Sequence, residues 1–158
     1  MDVEIMLDPE HFEPAVVSGL AQALSEHFRV RVQHQPTNGT TQGPRVVVTL
    51  PLPEIERRDR PTVANLLSRP LFRALDAHLL RGEPRPALEF RFRFVGPERV
   101  IERRVITPES DVLKHAVDTL LEQLARPEPV LTYDERTGGW LVSDSVAPSG
   151  SAGLPTGE

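Results

Sequence analysis

LEFRFRFV, residues 88–95, is the stretch that decides the fold. Its three phenylalanines alternate with arginines, and a two-residue period is typical of a strand with one buried face and one wet face. Gly96 and Pro97 then turn the chain, and a second strand is predicted to return over residues 99–107. A sheet with helices on both faces would read as continuous apolar runs, so the alternation indicates helices on one face only.

Working outward from this hairpin, the same patterns predict the remaining elements. Alternating residues predict strands over residues 2–7 and 28–34. RVVVTLPLP, residues 45–53, is a further predicted strand, and residues 130–142 are predicted to form a small hairpin with Gly138 and Gly139 near its turn. Apolar residues at helical spacing predict helices that begin at Pro14, span residues 62–81 and follow Thr107. The order β-α-β-β-α-β-β-α plus a C-terminal hairpin predicts an α+β fold. We expect a two-layer sandwich, with a mixed or antiparallel sheet and helices on one face. This order is similar to that of ferredoxin-like or split βαβ modules, which host many unrelated functions.

The register of the returning strand, 99–107, stays open in the sequence. In one register the inward-facing residues are Ile101, Arg103 and Val105. In the other register they are Val100, Glu102, Arg104 and Ile106. Both registers place charged side chains inside, so the pattern does not choose between them.

Prolines mark two further features of the predicted elements. A proline within a helix removes a hydrogen bond and clashes with the preceding turn, at a cost of ~3 kcal/mol. Pro70 is therefore predicted either to kink helix 62–81 or to split it in two. Pro51 and Pro53 cannot donate to a strand ladder, so we expect the end of strand 45–53 at a sheet edge.

Composition bounds the class of protein. The chain has 158 residues and no cysteine, which excludes disulfides, thiolate metal sites and cysteine nucleophiles. We expect an α+β core domain over residues 1–126, an appended hairpin over 127–142 and a disordered tail over 143–158. The N-terminal residues lack the pattern of a signal peptide, and no apolar run approaches the ~18 residues of a membrane span. With arginine strongly favoured over lysine, we expect a protein of the bacterial cytoplasm that binds no membrane.

Motifs that carry catalytic chemistry are absent from the sequence. It contains neither a glycine-rich phosphate loop nor a G-x-S-x-G nucleophile elbow. One group has metal-like spacing, because Asp111, His115 and Asp118 share one face of the third helix. That face lies opposite the leucine stripe, so a solvated row is the preferred interpretation. A metal-dependent enzyme built on these three residues is a third hypothesis for function, and no cofactor is expected.

The arginines of the wet face carry the main functional hypothesis. Arg91 and Arg93 point to the open face if the phenylalanines fill the core. Arg29 and Arg31 do the same on strand 28–34. Guanidinium groups recognise carboxylates and phosphates through paired hydrogen bonds. We therefore expect a non-enzymatic protein–protein interaction module, such as an adaptor, regulator or assembly component, that binds another protein through these four arginines.

Nucleic-acid binding through the same arginine-bearing face is the alternative hypothesis. The net charge of −5 argues against strong attraction to phosphate backbones. Sheet surfaces that bind RNA stack bases on exposed aromatic rings, whereas the phenylalanines here are needed for the core. The sequence leaves open the partner, the pathway and the oligomeric state.

Overall fold

The computed structural model describes residues 2–7, 12–34, 45–80 and 87–142. The predicted disordered tail, 143–158, lies outside these described residues. None of the described helices combines the length and apolar character that would let it cross a membrane.

The described strands form one mixed sheet. They are β1 (Asp2–Leu7), β2 (Arg29–His34), β3 (Arg45–Pro51), β4 (Leu88–Val95), β5 (Val100–Thr107), β6 (Val130–Asp134) and β7 (Gly139–Val142). Their order across the sheet is β2-β1-β3-β4-β5-β6-β7. The predicted hairpin, β6 and β7, thus continues the same sheet as the rest of the fold.

The helical segments lie between strands that are direct neighbours in the sheet. They are α1 (Pro14–Leu24), α2 (Leu52–Arg57), α3 (Arg60–Leu66), a first π-helical segment (Leu67–Leu71), α4 (Phe72–Leu75), a second π-helical segment (Asp76–Leu80), α5 (Ser110–Asp118) and a 3₁₀-helix (Leu121–Ala125). β1 and β2, β3 and β4, and β5 and β6 are parallel pairs, each joined by helical residues. A split βαβ unit would place another strand between the paired strands, so the similarity to such modules does not extend to the strand order.

The helices form a single layer against one face of the sheet. α1 packs against α4 and both π-helical segments, and α5 packs against α4 and the first π-helical segment. Phe90, Phe92 and Phe94 all point into this layer and are fully buried. The predicted two-layer α+β class with a mixed sheet is confirmed, and we call the helix-covered side the inner face and the opposite side the outer face.

The structure refines the expectation for Pro70 and contradicts the one for Pro51 and Pro53. Residues 60–80 stay helical throughout, and Pro70 lies in the first π-helical segment, where the wider turn accommodates a residue that has no N–H to donate. The expectation that strand 45–53 ends at a sheet edge is wrong, because β3 lies between β1 and β4. Its pairing with β1 reaches Thr49, so the missing N–H of Pro51 falls beyond that ladder.

The register of β5 is the one that places Arg103 inside. Its side chain is fully buried, between Ile101 and Val105 along the strand. Nη1 donates to the carbonyl oxygens of Glu102, Glu128 and Pro129 at 2.9, 3.1 and 3.2 Å, and Nη2 donates to that of Gln123 at 2.6 Å. Burial, followed by the charge of Arg126, lowers the pKa of Arg103 to about 10, so the group remains protonated at neutral pH.

Arg103 holds together segments that are distant in sequence. Gln123 belongs to the last turn of the 3₁₀-helix, where its carbonyl also accepts from the N–H of Arg126 at 3.2 Å, and Glu128 and Pro129 lead into β6. One planar guanidinium therefore donates to carbonyls on both sides of this connection. The hairpin is fastened to α5 as well, because Trp140 Nε1 donates to Thr119 Oγ1 at 2.9 Å.

Candidate interaction surface

The outer face has no described helix packed on it and is rich in charge. Among its residues on β1 to β5 are six arginines, namely Arg29, Arg31, Arg45, Arg91, Arg93 and Arg104. The same five strands contribute four acids, namely Asp2, Glu4, Glu89 and Glu102. This part of the outer face has an excess of positive charge, although the whole chain has a net charge of −5.

The four arginines predicted to share a face do so, but as two separate pairs. Arg29 and Arg31 lie on β2 at the edge of the sheet, whereas Arg91 and Arg93 lie on β4. β1 and β3 lie between them, which at ~4.8 Å per strand separates the two pairs by roughly 14 Å. The four arginines therefore share the outer face without lying on neighbouring strands.

The arginines of β2 pair with acids of the adjacent strand. Arg29 Nε lies 3.6 Å from Asp2 Oδ1, and Arg31 Nη1 lies 3.7 Å from Glu4 Oε2. The two arginine side chains are 88% and 76% exposed, so water screens both pairs. Glu4 also accepts a hydrogen bond from Gln33 Nε2 at 2.8 Å. These arginines are free to exchange their partners for groups of an incoming molecule at little cost.

A row of alternating charges crosses the middle of the outer face. We call Arg45, Glu89, Arg91, Glu102 and Arg104 the charge row. Its nitrogen–oxygen distances are 3.8 Å for Arg45–Glu89, 2.7 Å for Arg91–Glu89, 4.0 Å for Arg91–Glu102 and 3.2 Å for Arg104–Glu102. All five side chains are between 13% and 22% exposed, so they cover one another and the sheet beneath them. Val47 is buried on this face, which shows that the arginine stems supply apolar cover.

Arg93 differs from the other five outer-face arginines. Among the described residues, no carboxylate lies within 4.0 Å of its guanidinium. It lines a hollow of about 670 Å³, which we call the arginine hollow. The polar residues of this hollow are Asp2, Glu4, Arg29, Arg31, Thr49 and Arg93. Thr49 pairs with Arg93 in the strand register, and its buried hydroxyl has no hydrogen-bond partner.

Three exposed aliphatic side chains lie on the outer face. The large hydrophobic residues exposed in the described part of the chain are Val100, Ile106, Leu141 and Val142, at 40 to 52% exposure. Val100 and Ile106 lie near opposite ends of the outer face of β5, on either side of the charge row, and Leu141 lies on the outer face of β7 opposite Thr132. Val142 is on the inner face, because it pairs with the buried Leu131. The sequence analysis missed these exposed side chains, which the β5 register would have revealed, because it turns Val100 and Ile106 outward.

The candidate metal ligands on α5 have other partners. His115 Nδ1 lies 2.5 Å from the Tyr133 hydroxyl, and Asp118 Oδ2 accepts from Lys114 Nζ at 2.9 Å. Asp111 is exposed. Within the described ranges, no group of three or more His, Cys, Asp or Glu side chains is arranged to hold a metal ion.

Comparison with known proteins gives no further information about this surface. Comparisons of the chain with protein-family models, with curated proteins and with solved structures found no match.

Proposed function

We propose that this protein is a non-enzymatic protein–protein interaction module of the bacterial cytoplasm, an adaptor, regulator or assembly component, whose outer face binds its partner. The observation that carries the proposal is an uncovered sheet face that has an excess of arginine together with exposed aliphatic side chains. Arg29, Arg31, Arg91 and Arg93 all belong to this face.

The distribution of charge supports a partner that is acidic where it meets the arginines. The outer face of β1 to β5 is positive, whereas the chain as a whole carries 23 acidic against 18 basic residues. Complementary charge steers association and rejects wrong partners more than it adds affinity. Each arginine of the charge row already lies within 4.0 Å of a carboxylate in a largely buried row, so the arginines around the arginine hollow are the ones available to a partner.

The exposed aliphatic side chains of the outer face support a protein partner over a nucleic acid. Protein interfaces combine a desolvated apolar centre with a polar rim. Val100, Ile106 and Leu141 supply such apolar area, whereas none of the described outer-face residues is aromatic. Bases of single-stranded nucleic acid need aromatic or arginine planes to stack on, and only the second of these is present.

The test is capture of partners from the native host with two matched variants. Arg31→Glu with Arg93→Glu alters the outer face. Arg69→Glu with Arg73→Glu makes the same change in net charge among exposed residues of the helical layer. A partner of the outer face is recovered by the wild type and the helical-layer variant and lost by the outer-face variant, while both variants keep the wild-type melting temperature.

Two results would contradict the proposal. Equal recovery by both variants would show that the outer face is not the binding surface. Binding of RNA or DNA at ~50 mM salt, where phosphate contacts are strong, together with its loss in the outer-face variant alone, would favour the nucleic-acid alternative.

A further inference from the structure

The arginine hollow brings together a guanidinium without a carboxylate partner among the described residues and a buried hydroxyl without a hydrogen-bond partner. Arg93 has no carboxylate within 4.0 Å among the described residues, and the Thr49 hydroxyl is buried without a partner. The two residues are directly paired in the β3–β4 register, so both groups lie at one spot on the sheet. A guanidinium offers donors in a planar fork, and a hydroxyl adds one more donor beside it. The Arg93 guanidinium and the Thr49 hydroxyl together offer hydrogen-bond donors that an acceptor of a bound molecule can use.

We infer that Arg93 and Thr49 form the anchor site for a carboxylate side chain of the bound protein. This inference rests on the proposed function and names the chemistry that the outer face recognises. The two carboxylate oxygens of an aspartate or glutamate accept parallel hydrogen bonds from two N–H groups of Arg93. Rotation of the Thr49 hydroxyl about its Cα–Cβ bond then brings its proton to the same carboxylate, which satisfies the unpaired group.

The surroundings favour one carboxylate at this spot over a cluster of them. Arg31 lies on the rim of the hollow and adds positive charge, but Glu4 stands opposite Thr49 on β1. Glu102 stands opposite Arg93 on β5 and is held by Arg104 at 3.2 Å. These fixed acids repel a dense polyanion such as a nucleic-acid backbone. A polypeptide with an isolated acidic residue among apolar ones fits both the Arg93–Thr49 anchor site and the exposed aliphatic side chains of the outer face.

The experiment observes the Arg93 side-chain N–H signals by NMR during titration with three probes. The probes are a glutamate-containing peptide with leucine neighbours, free glutarate and inorganic phosphate. We expect the peptide to shift the signals of Arg93 and Thr49 to saturation. Arg93→Gln is expected to weaken peptide binding about tenfold, and Thr49→Val, which keeps the shape and removes the hydroxyl, about threefold. Arg45→Gln is the control, because Arg45 already pairs with Glu89.

Several outcomes would overturn the inference. An unshifted Arg93 signal, or equal binding by wild type and Arg93→Gln, would show that the anchor does not exist. Saturation by glutarate or phosphate as readily as by the peptide would show a site for a small free anion. Partner capture separates this inference from the proposed function. If the outer-face double variant loses the partner while Arg93→Gln retains full affinity, the docking face stands and the anchor is wrong.

Discussion

Arg103 and Arg104 are neighbours in sequence but serve opposite faces of the same sheet. The inner-face arginine is fully buried and donates to four backbone carbonyls. The outer-face arginine is 16% exposed and lies 3.2 Å from the carboxylate of Glu102. Arg103 therefore donates to neutral backbone carbonyls, whereas Arg104 pairs with the charged carboxylate of a neighbouring side chain.

This difference separates arginines that build the protein from arginines that it can present to a partner. A buried charge is stable only where the fold supplies acceptors for it, and the four carbonyls around Nη1 and Nη2 therefore bind Arg103 to its place, although its buried Nε has no partner. The ion pairs of Arg29 and Arg31 are exposed and contribute ~0–1 kcal/mol each, so losing them changes stability little. The inner face should therefore respond to mutation with loss of stability, and the outer face with loss of binding.

The largest expected effect comes from the aromatic centre of the inner face. Phe92→Ala removes a fully buried ring in the middle of β4, and we expect a loss of about 3–5 kcal/mol in the free energy of unfolding. Urea denaturation followed by the fluorescence of Trp140, the single tryptophan, measures it. A loss below ~1 kcal/mol would mean that the inner face is not a packed core.

The second prediction compares the two neighbouring arginines directly. Arg103→Met removes the buried charge and its hydrogen bonds. The Glu128 carbonyl loses its donor, whereas the carbonyls of Gln123 and Pro129 keep the backbone N–H groups of Arg126 and Glu102, and we expect a loss of about 2–4 kcal/mol. Arg104→Met is the matched change on the outer face, with a smaller expected loss of about 1 kcal/mol, because Glu102 keeps Arg91 within 4.0 Å. Equal losses in urea denaturation would erase the distinction between the two faces.

The third prediction concerns a titrating group of the inner face. Burial, followed by the charges of Glu135 and Asp134, raises the pKa of Tyr133 above its usual value. Because the folded state favours the neutral phenol, the stability that Tyr133 contributes is full below pH ~10 and is lost as the pH rises through the folded-state pKa.

The chain contains one tyrosine, so its phenolate absorbance reports Tyr133 alone. The titration midpoint of the native protein should exceed that of the urea-unfolded chain, and Glu135→Gln should lower it toward the unfolded value. Identical midpoints in the native and unfolded protein would place the Tyr133 phenol in water.

The smallest expected effect is the change in stability when outer-face arginines are replaced. Arg91→Thr with Arg93→Thr removes one ion-paired and one unpaired arginine, and we expect a loss within ~0.5 kcal/mol per site. Partner recovery should nevertheless disappear. Unfolding of this double variant in a thermal melt would contradict the assignment of these residues to the outer face.

The sequence predicts those parts of the fold whose signal is local. Strand β4 is confirmed at residues 88–95, where five consecutive residues alternate between phenylalanine and arginine. Helix α1 begins at Pro14, as its proline predicts. The β5 register could not be predicted, since three of the four carbonyls that hold Arg103 come from residues 20 to 26 positions later in the chain.

The layout of the candidate surface depends on strand order, which local patterns do not contain. Arg29, Arg31, Arg91 and Arg93 are assigned to the right face by alternation alone. Their separation into two pairs follows from β1 and β3 lying between β2 and β4. The arginine hollow likewise joins side chains from four strands, so its pairing of Arg93 with Thr49 is a property of the assembled sheet.

The position of β2 at the border of the sheet has a consequence for how a partner binds. An edge strand offers unpaired backbone groups to any passing strand, and exposed charges along it discourage such strand addition. Arg29 and Arg31 place two highly exposed guanidinium groups on this strand. We therefore expect the sheet not to lengthen by β-augmentation at β2, and a partner to lie across the broad surface of the sheet.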